Sequence, residues 1–257
     1  MSILQGILEN KRKEVEAAKQ SLPFDQLKKL VDSKDRRSFS HALRSSPFSL
    51  IAEIKKASPS RGVLTARFDP VELAREYERL GATVLSVLTD TKYFQGQKEF
   101  IKLIKAQCSL AVLRKDFILD DYQVYESRFI GADAILLIVK ILTDQKLSQL
   151  YQCARDLGLD VLFETHNDEE IQRANRLGAE IIGINNRDLD SFEVTIDLCL
   201  KLRPNIAKRA LAIAESGIKS AADVEKVRTA GFDAMLVGEG LIVEKNRNAV
   251  FRELMSR

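Results

Sequence analysis

One phrase recurs along the chain and constrains its fold more than any other feature: a helix end, a glycine, a small residue, then an apolar strand. It reads LGATVLSVL at 80–88, IGADAILLIV at 130–139, LGAEIIGI at 177–184 and AGFDAMLVG at 230–238, with a weaker copy, LGLDVLF, at 157–163. Glycine suits the left-handed position that ends a helix, and an unbroken aliphatic and β-branched run suits a strand covered on both faces. Each copy therefore marks a helix-to-strand junction. Successive junction glycines lie 50, 27, 20 and 53 residues apart, so each long gap has room for one more strand, supplied by LAVLRKDF (110–117) and ALAIAESG (210–217). FSLIAEIK (48–55) completes a set of eight strands.

Segments with helical apolar spacing separate these strands: PVELAREYERL (70–80), KEFIKLIKA (98–106), DDYQVYESRFI (120–130), TDQKLSQLYQCARDL (143–157), DEEIQRANRL (168–177), TIDLCLKL (195–202) and SAADVEKVRTA (220–230). Several open with Asp, Ser or Thr where a helix cap belongs. Strict alternation implies a parallel sheet with helices outside. The 257 residues also match the roughly 250 of a (β/α)8 barrel. The expected fold class is thus α/β, a (β/α)8 TIM barrel. A doubly wound open sheet is the competitor, but it normally carries a Gly-rich phosphate turn after its first strand, where this chain has charged and polar residues. Residues 1–47 stand apart, with helical spacing at 3–18, 24–31 and 39–43 and no core of their own. They are expected to form two or three extra helices packed on the barrel and capping one of its ends, within a single domain of residues 1–257.

Composition removes several function classes. The 40 Lys and Arg against 37 Asp and Glu leave a formal charge of +3, with the basic residues scattered along helices, which is no nucleic-acid footprint. The longest apolar run, 134–139, falls far short of the roughly 20 residues of a membrane-spanning helix. The first twenty residues mix charges of both signs and lack the features of a secretory signal, so a cytoplasmic protein is expected. Cys108, Cys153 and Cys199 are odd in number and outside any CxxC pair, indicating neither a disulfide framework nor a zinc site. His41 and His166 are the only histidines, too few for a multi-histidine metal centre and a poor basis for a Ser-His-Asp triad. The chemistry must rest on other groups.

In a barrel the residues at the C-terminal ends of the strands form the active site. Here they are Glu53 and Lys55, which alternation sends to one face, then Lys115-Asp116-Phe117, Lys140, Glu164, Asn185-Asn186-Arg187, Glu215-Ser216-Gly217 and Gly238-Glu239-Gly240. A single charge after a strand can mean only that the chain has reached water, but these strand ends agree with one another. Lysines within a ring of carboxylates stay protonated and can act as acids, and a carboxylate beside apolar groups can be tuned toward a base. Ser216-Gly217 and Gly238-Glu239-Gly240 offer backbone N–H groups near a helix start, as a phosphate cradle would, although glycines after a strand can also simply make a tight turn.

The stretch LIAEIKKASPS (50–60), followed by Leu64, resembles the signature of the indole-3-glycerol-phosphate synthase family, a carboxy-lyase family of tryptophan biosynthesis. The likeness continues through LTDTKYFQG (88–96), LRKDFILD (113–120), ADAILLIVKIL (132–142), GINNRDL (183–189) and AESGI (214–218), and so covers essentially the whole chain. The resemblance implies a barrel that closes the indole ring of 1-(2-carboxyphenylamino)-1-deoxyribulose 5-phosphate, losing carbon dioxide and water with neither metal nor organic cofactor. It implies Lys115 as general acid, Glu164 as the base of the dehydration, and Lys55 as a second acid or an electrostatic clamp, with Glu53 and Asn185 orienting Lys115 and the sugar hydroxyls. Arg187 resembles an arginine at the anthranilate end, where a guanidinium fork suits a carboxylate; a salt bridge to a neighbouring loop is the alternative.

Phe94, Leu113, Phe117, Leu136 and Phe192 match positions lining the aromatic ring's pocket, core packing being the other reading for Leu113 and Leu136. Ser58 resembles a residue of the mobile first loop that covers the substrate; otherwise it lies in a solvated loop. Gly240 stands where relatives often have Ser or Ala. Glu239 is expected to turn its carboxylate outward, away from phosphate. His166 receives no role. The implied partner is a small phosphorylated substrate, with no nucleic acid or membrane, on a monomer that can associate with other tryptophan-pathway enzymes. Two rivals stay open: another ribulose-phosphate-binding barrel such as phosphoribosylanthranilate isomerase, which relies on a Cys near strand one where this chain has Glu53 and Lys55, and a non-catalytic barrel that binds a phosphorylated ligand.

Overall fold

The five junction glycines, Gly81, Gly131, Gly158, Gly178 and Gly231, all have positive φ, and each delivers the chain from a helix into a strand as the repeated phrase predicts. The computed structural model describes residues 2–31, 36–65, 67–188, 191, 193–243 and 246–255. Its strands are β1 (Ser49–Ile54), β2 (Val84–Leu88), β3 (Ala111–Lys115), β4 (Ala134–Ile138), β5 (Asp160–Thr165), β6 (Ile181–Asn185), β7 (Leu211–Glu215) and β8 (Ala234–Val237). All pair in parallel, and β8 pairs with β1 to close the barrel.

Alternation along the strands divides the apolar residues into two cores. Outward side chains such as Leu50, Ala52, Val112, Phe163 and Ile182 pack under the helices, whereas Ile51, Val84, Leu113, Leu136, Leu162 and Ile213 fill the barrel. This two-sided burial is why the strands read as unbroken apolar runs. The seven expected outer helices are all present. The helices Thr91–Phe94 and Arg247–Met255 were not anticipated; the latter buries only Phe251 and Leu254, too little apolar signal to stand out in sequence.

The N-terminal helices Ile3–Ser21, Phe24–Leu30 and Phe39–Arg44 form at the expected places. They reach both ends of the barrel, where a cap at one end was expected. Phe39 and Leu43 enter the interior cluster, and Ser40 donates from its backbone N and its hydroxyl to Asp160 at the start of β5 (2.9 and 3.1 Å). This closes the N-terminal end. Ile3–Ser21 starts from a Ser2–Gln5 capping box and lies over the opposite end, with Leu4 and Ile7 joining Phe117 in the interior cluster.

One buried cation fixes that first helix. Lys11 pairs with Asp90 after β2 (3.0 Å), Asp116 after β3 (2.9 Å) and Glu14 on its own helix (2.6 Å). Asp116 also pairs with Arg114 (3.0 Å), which reaches Glu126 (2.9 Å) on the helix that follows β3. Burial disfavours the Lys11 charge, but Asp116 and Asp90 outweigh it and raise its pKa. Removing one member of such a network strands the others without compensation, at a cost of about 3–5 kcal/mol. Lys11→Met is therefore expected to lower Tm by roughly 6–20 °C in thermal unfolding. A Tm within about 2 °C of the parent's would show that the network contributes no net stability.

Candidate active site

The odd-numbered strands each send one charged side chain into the barrel near its C-terminal mouth: Glu53 from β1, Lys115 from β3, Glu164 from β5 and Glu215 from β7. Two residues earlier, the inward side chains on these strands are aliphatic, Ile51, Leu113, Leu162 and Ile213. Barrel interiors are layered in fours from alternate strands, mostly with bulky aliphatics. The layer at this mouth instead holds three carboxylates around one ammonium. Lys115 Nζ donates to Glu164 Oε2 (2.8 Å) and Glu215 Oε2 (2.9 Å), and all three side chains are largely buried.

Two glycines make room for this layer. A Cβ on Gly183 of β6 would overlap Glu215 Oε1, and one on Gly238 just after β8 would overlap Glu53 Oε1. Neither glycine has the positive φ that would otherwise explain it. Their role is space.

The charges set one another's protonation. Burial disfavours the Lys115 ammonium, but Glu164, Glu215 and Glu53 outweigh it and raise its pKa well above the ordinary lysine value. Burial also works against ionised Glu164, and Lys115, then His166, reverse this so that its pKa is lowered; a hydrogen bond from Asn185 assists. Glu53 is likewise lowered, by Lys55 and Lys115 acting against burial. Glu215 goes the other way: burial, reinforced by ionised Glu164, pushes its carboxyl up to about 7 despite Lys115.

Above this layer sit the remaining cations. Lys55 Nζ contacts Glu53 Oε1 (2.6 Å), and Glu239 lies among Arg187 (3.2 Å), Arg61 (3.6 Å) and Lys55 (4.0 Å). The expectation that Glu239 turns outward is thus wrong. Its carboxylate is drawn toward the mouth because Arg187, Arg61 and Lys55 stand there. Arg187 does make the loop-to-loop salt bridge that was its alternative reading, while its backbone N donates to Asn185 Oδ1 (3.0 Å).

Ser216 and Gly217 follow β7 with φ of 64° and 82°, so two successive residues are left-handed. Gly217 is required there, since a Cβ would also press against Val194. The short helix Glu239–Val243 begins directly after Gly238.

The apolar side of the mouth is formed by Phe117 and Phe94, whose ring centroids are 6.2 Å apart, with Leu113 and Leu136 buried in the same interior cluster. Ser58 is buried in a short antiparallel ladder, Ala57–Ser58 against Gly62–Val63, so the solvated-loop alternative does not hold for it. Phe192 lies outside the described residues. Lys140 sits exposed in the 3-10 turn Val139–Ile141. Glu215 was named at its strand end but given no role. Its signal was the alternation of Leu211, Ile213 and Glu215 along β7, opposite a β6 that carries glycine at position 183.

Fold and site together define a (β/α)8-barrel enzyme with a buried acid–base layer beside a group of cations. The chain belongs to the indole-3-glycerol phosphate synthase family, whose profile matches residues 4–254. It is 49% identical to the indole-3-glycerol phosphate synthase of Chlorobium phaeovibrioides over 95% of both chains. Identity is 46% with that of Chlorobium chlorochromatii (94% of this chain, 95% of the relative) and 40% with that of Lachnoclostridium phytofermentans (99% of both). Among solved structures, 3-hexulose-6-phosphate synthase from Salmonella typhimurium superposes with a TM-score of 0.65 at 14% identity, covering 80% of this chain and 96% of that one. Thiamine phosphate pyrophosphorylase from Pyrococcus furiosus gives 0.58 at 16%, covering 84% and 96%. These two share the barrel fold.

The raised Glu215 has a measurable consequence. Between the ordinary carboxyl value of 4.5 and about 7, the native state retains a proton that the unfolded chain has released. Stability therefore falls as pH rises through that interval. Glu215→Gln removes the titration, so its Tm relative to the parent is expected to be higher at about pH 8 than at about pH 5. A difference that is equal at both pH values, or larger in acid, would contradict a raised Glu215.

Proposed function

We propose that this chain is a carboxy-lyase that converts 1-(2-carboxyphenylamino)-1-deoxyribulose 5-phosphate to indole-3-glycerol phosphate, carbon dioxide and water. The observation that carries the assignment of roles is Lys115, held between Glu164 and Glu215 at 2.8 and 2.9 Å in one buried layer. The aromatic carbon bearing the carboxylate attacks the ribulose carbonyl, and Lys115 protonates the oxygen as the C=O bond opens. The carboxylate leaves as carbon dioxide, returning its bonding electrons to the ring. A second proton lets the new hydroxyl depart as water, and Glu164 takes a proton from the methylene carbon beside the nitrogen to complete the indole. Transfer from Glu164 back to Lys115 along their hydrogen bond restores both groups. Two protons are delivered and one is recovered, so each turnover consumes one from water.

Lys55 acts as a second acid or as an electrostatic clamp on the substrate's anionic groups. Glu53 and Asn185 orient Lys115, Glu164 and the sugar hydroxyls. Arg187 receives the substrate carboxylate, exchanging its partner Glu239 for it. The phosphate rests on the backbone N–H groups of Ser216, Gly217, Gly238, Glu239 and Gly240. Phe94, Leu113, Phe117 and Leu136 enclose the aromatic ring, and Ser58 in the first loop helps to cover it. The reading further takes residues 1–257 as one domain, supported by the shared interior cluster of Leu4, Ile7 and the barrel. It places the enzyme in the cytoplasm, working as a monomer without cofactor and able to associate with other enzymes of tryptophan synthesis. No helix among the described residues is long and apolar enough to cross a membrane.

Lys115→Ala and Glu164→Gln are each expected to lower kcat by at least about 100-fold in a fluorescence assay of indole formation. Unchanged kcat in both variants would remove the mechanism. Inorganic phosphate is expected to compete with substrate, and EDTA to leave the rate unaltered. Loss of activity in EDTA, recovered with zinc or magnesium, would contradict the assignment of every proton transfer to side chains.

A further inference from the structure

His166 lies just beyond Glu164, and the steps above make no use of it. Thr165 turns away from the interior, its hydroxyl donating to Gly183 O (2.7 Å), and alternation returns His166 to the side of Glu164. Its Nε2 is 3.6 Å from Glu164 Oε1, the carboxylate oxygen that Lys115 does not hold. The imidazole is braced from behind. Its Nδ1 is 3.3 Å from Glu170 Oε2, and the same oxygen accepts the His166 backbone N–H (2.8 Å). Glu170 is itself fixed by Asn167, whose side-chain amide donates to Oε1 (2.8 Å) at the start of the helix Asp168–Arg176. The imidazole is 8% exposed, and its Nε2 is buried with no hydrogen-bond partner. It points at the one oxygen through which Glu164 can be steered from the side opposite Lys115.

We propose that His166 is a positioning residue for the base: held by Glu170, its imidazolium grips the outer oxygen of Glu164 and keeps the inner oxygen ionised and turned to Lys115. The charged groups acting on the ring are Glu164 on its own segment, Glu170 on the following helix and Glu215 on β7. They raise the His166 pKa above its ordinary value although burial opposes this. A cation on this side lets Glu164 remain a carboxylate whenever Lys115 has given up its proton, the moment at which Glu164 would otherwise lose its strongest counter-charge.

This rests on Glu164 being the base of the proposed reaction, and two measurements separate the ideas. The first needs no turnover. With only two histidines in the chain, His41→Gln identifies the His166 imidazole signals in an NMR titration. Glu164→Gln is then expected to lower the His166 midpoint by roughly half a pH unit or more, as loss of a neighbouring carboxylate requires. The second reads kinetics. His166→Gln is expected to lower kcat about 10-fold, to leave KM within about twofold, and to move the acid limb of the kcat profile to higher pH. Glu170→Gln keeps the acceptor while removing the charge, and is expected to move the same limb in the same direction by a smaller amount. An unmoved His166 midpoint, or an acid limb that stays in place in both variants, would overturn the proposal. An inactive parent enzyme with the midpoint shift intact would overturn the reaction and not the pairing.

Discussion

The mouth of this barrel depends on a single ammonium surrounded by carboxylates. Lys115 contacts Glu164 and Glu215 directly and holds Glu53 electrostatically, in a layer where an ordinary barrel packs aliphatic side chains. Taking such groups out of water costs several kcal/mol per ion, and mutual attraction offsets this only when geometry is good and the remaining lone pairs are satisfied. Here it is not offset completely. Glu215 Oε1 has no hydrogen-bond partner, and its carboxyl stays half-protonated near neutrality. The aliphatic layer beneath and the helix-side core supply what the charged layer withholds, so a stable scaffold carries a locally unfavourable one.

That arrangement also explains why an ammonium and a carboxylate can both stay charged as neighbours in a buried layer. A lysine alone in an apolar pocket would lose its proton, and a carboxylate alone would gain one. Placed 2.8 Å apart, each keeps the other charged. The difference among the carboxylates comes from their other contacts: Lys55 at Glu53, Asn185 and His166 at Glu164, and Lys115 as the sole cation touching Glu215 among the described residues. The N-terminal helix contributes from outside the barrel. Lys11 ties it to Asp116, next in sequence to Lys115, and to Asp90, whose carboxylate also caps the helix bearing Phe94.

Much of this was legible in the chain. The repeated junction phrase was enough to number the strands, because apolar runs between a glycine and a charge have one period and one direction. Alternation from Glu53 to Lys55 was enough to place two site residues on one face. What sequence could not convey was distance between strands. Glu215 and Glu164 sit at equivalent places on β7 and β5, yet only closure of the barrel shows that both reach one nitrogen. The turn of Glu239 toward the mouth escaped for a related reason: its direction is decided by Arg187 and Arg61, which come from two other loops. Lys11 was invisible because a lysine on an amphipathic helix usually lies on the wet side, and nothing local marks this one as buried.

The missing side chain at Gly183 carries a lesson about descent. While Glu215 occupies that space, no larger residue is tolerated at 183. In a copy of the gene freed from its duty, replacement of Glu215 by something small would remove the severe overlap, leaving the end of Leu162, 3.2 Å from a Cβ at 183, as the neighbour that an alanine there would have to shift. Once that second change is in place the carboxylate has nowhere to return to, and reversion at 215 alone no longer rebuilds the original layer. Loss of the charged layer in this lineage would thus work as a ratchet, closed behind it by one methyl group.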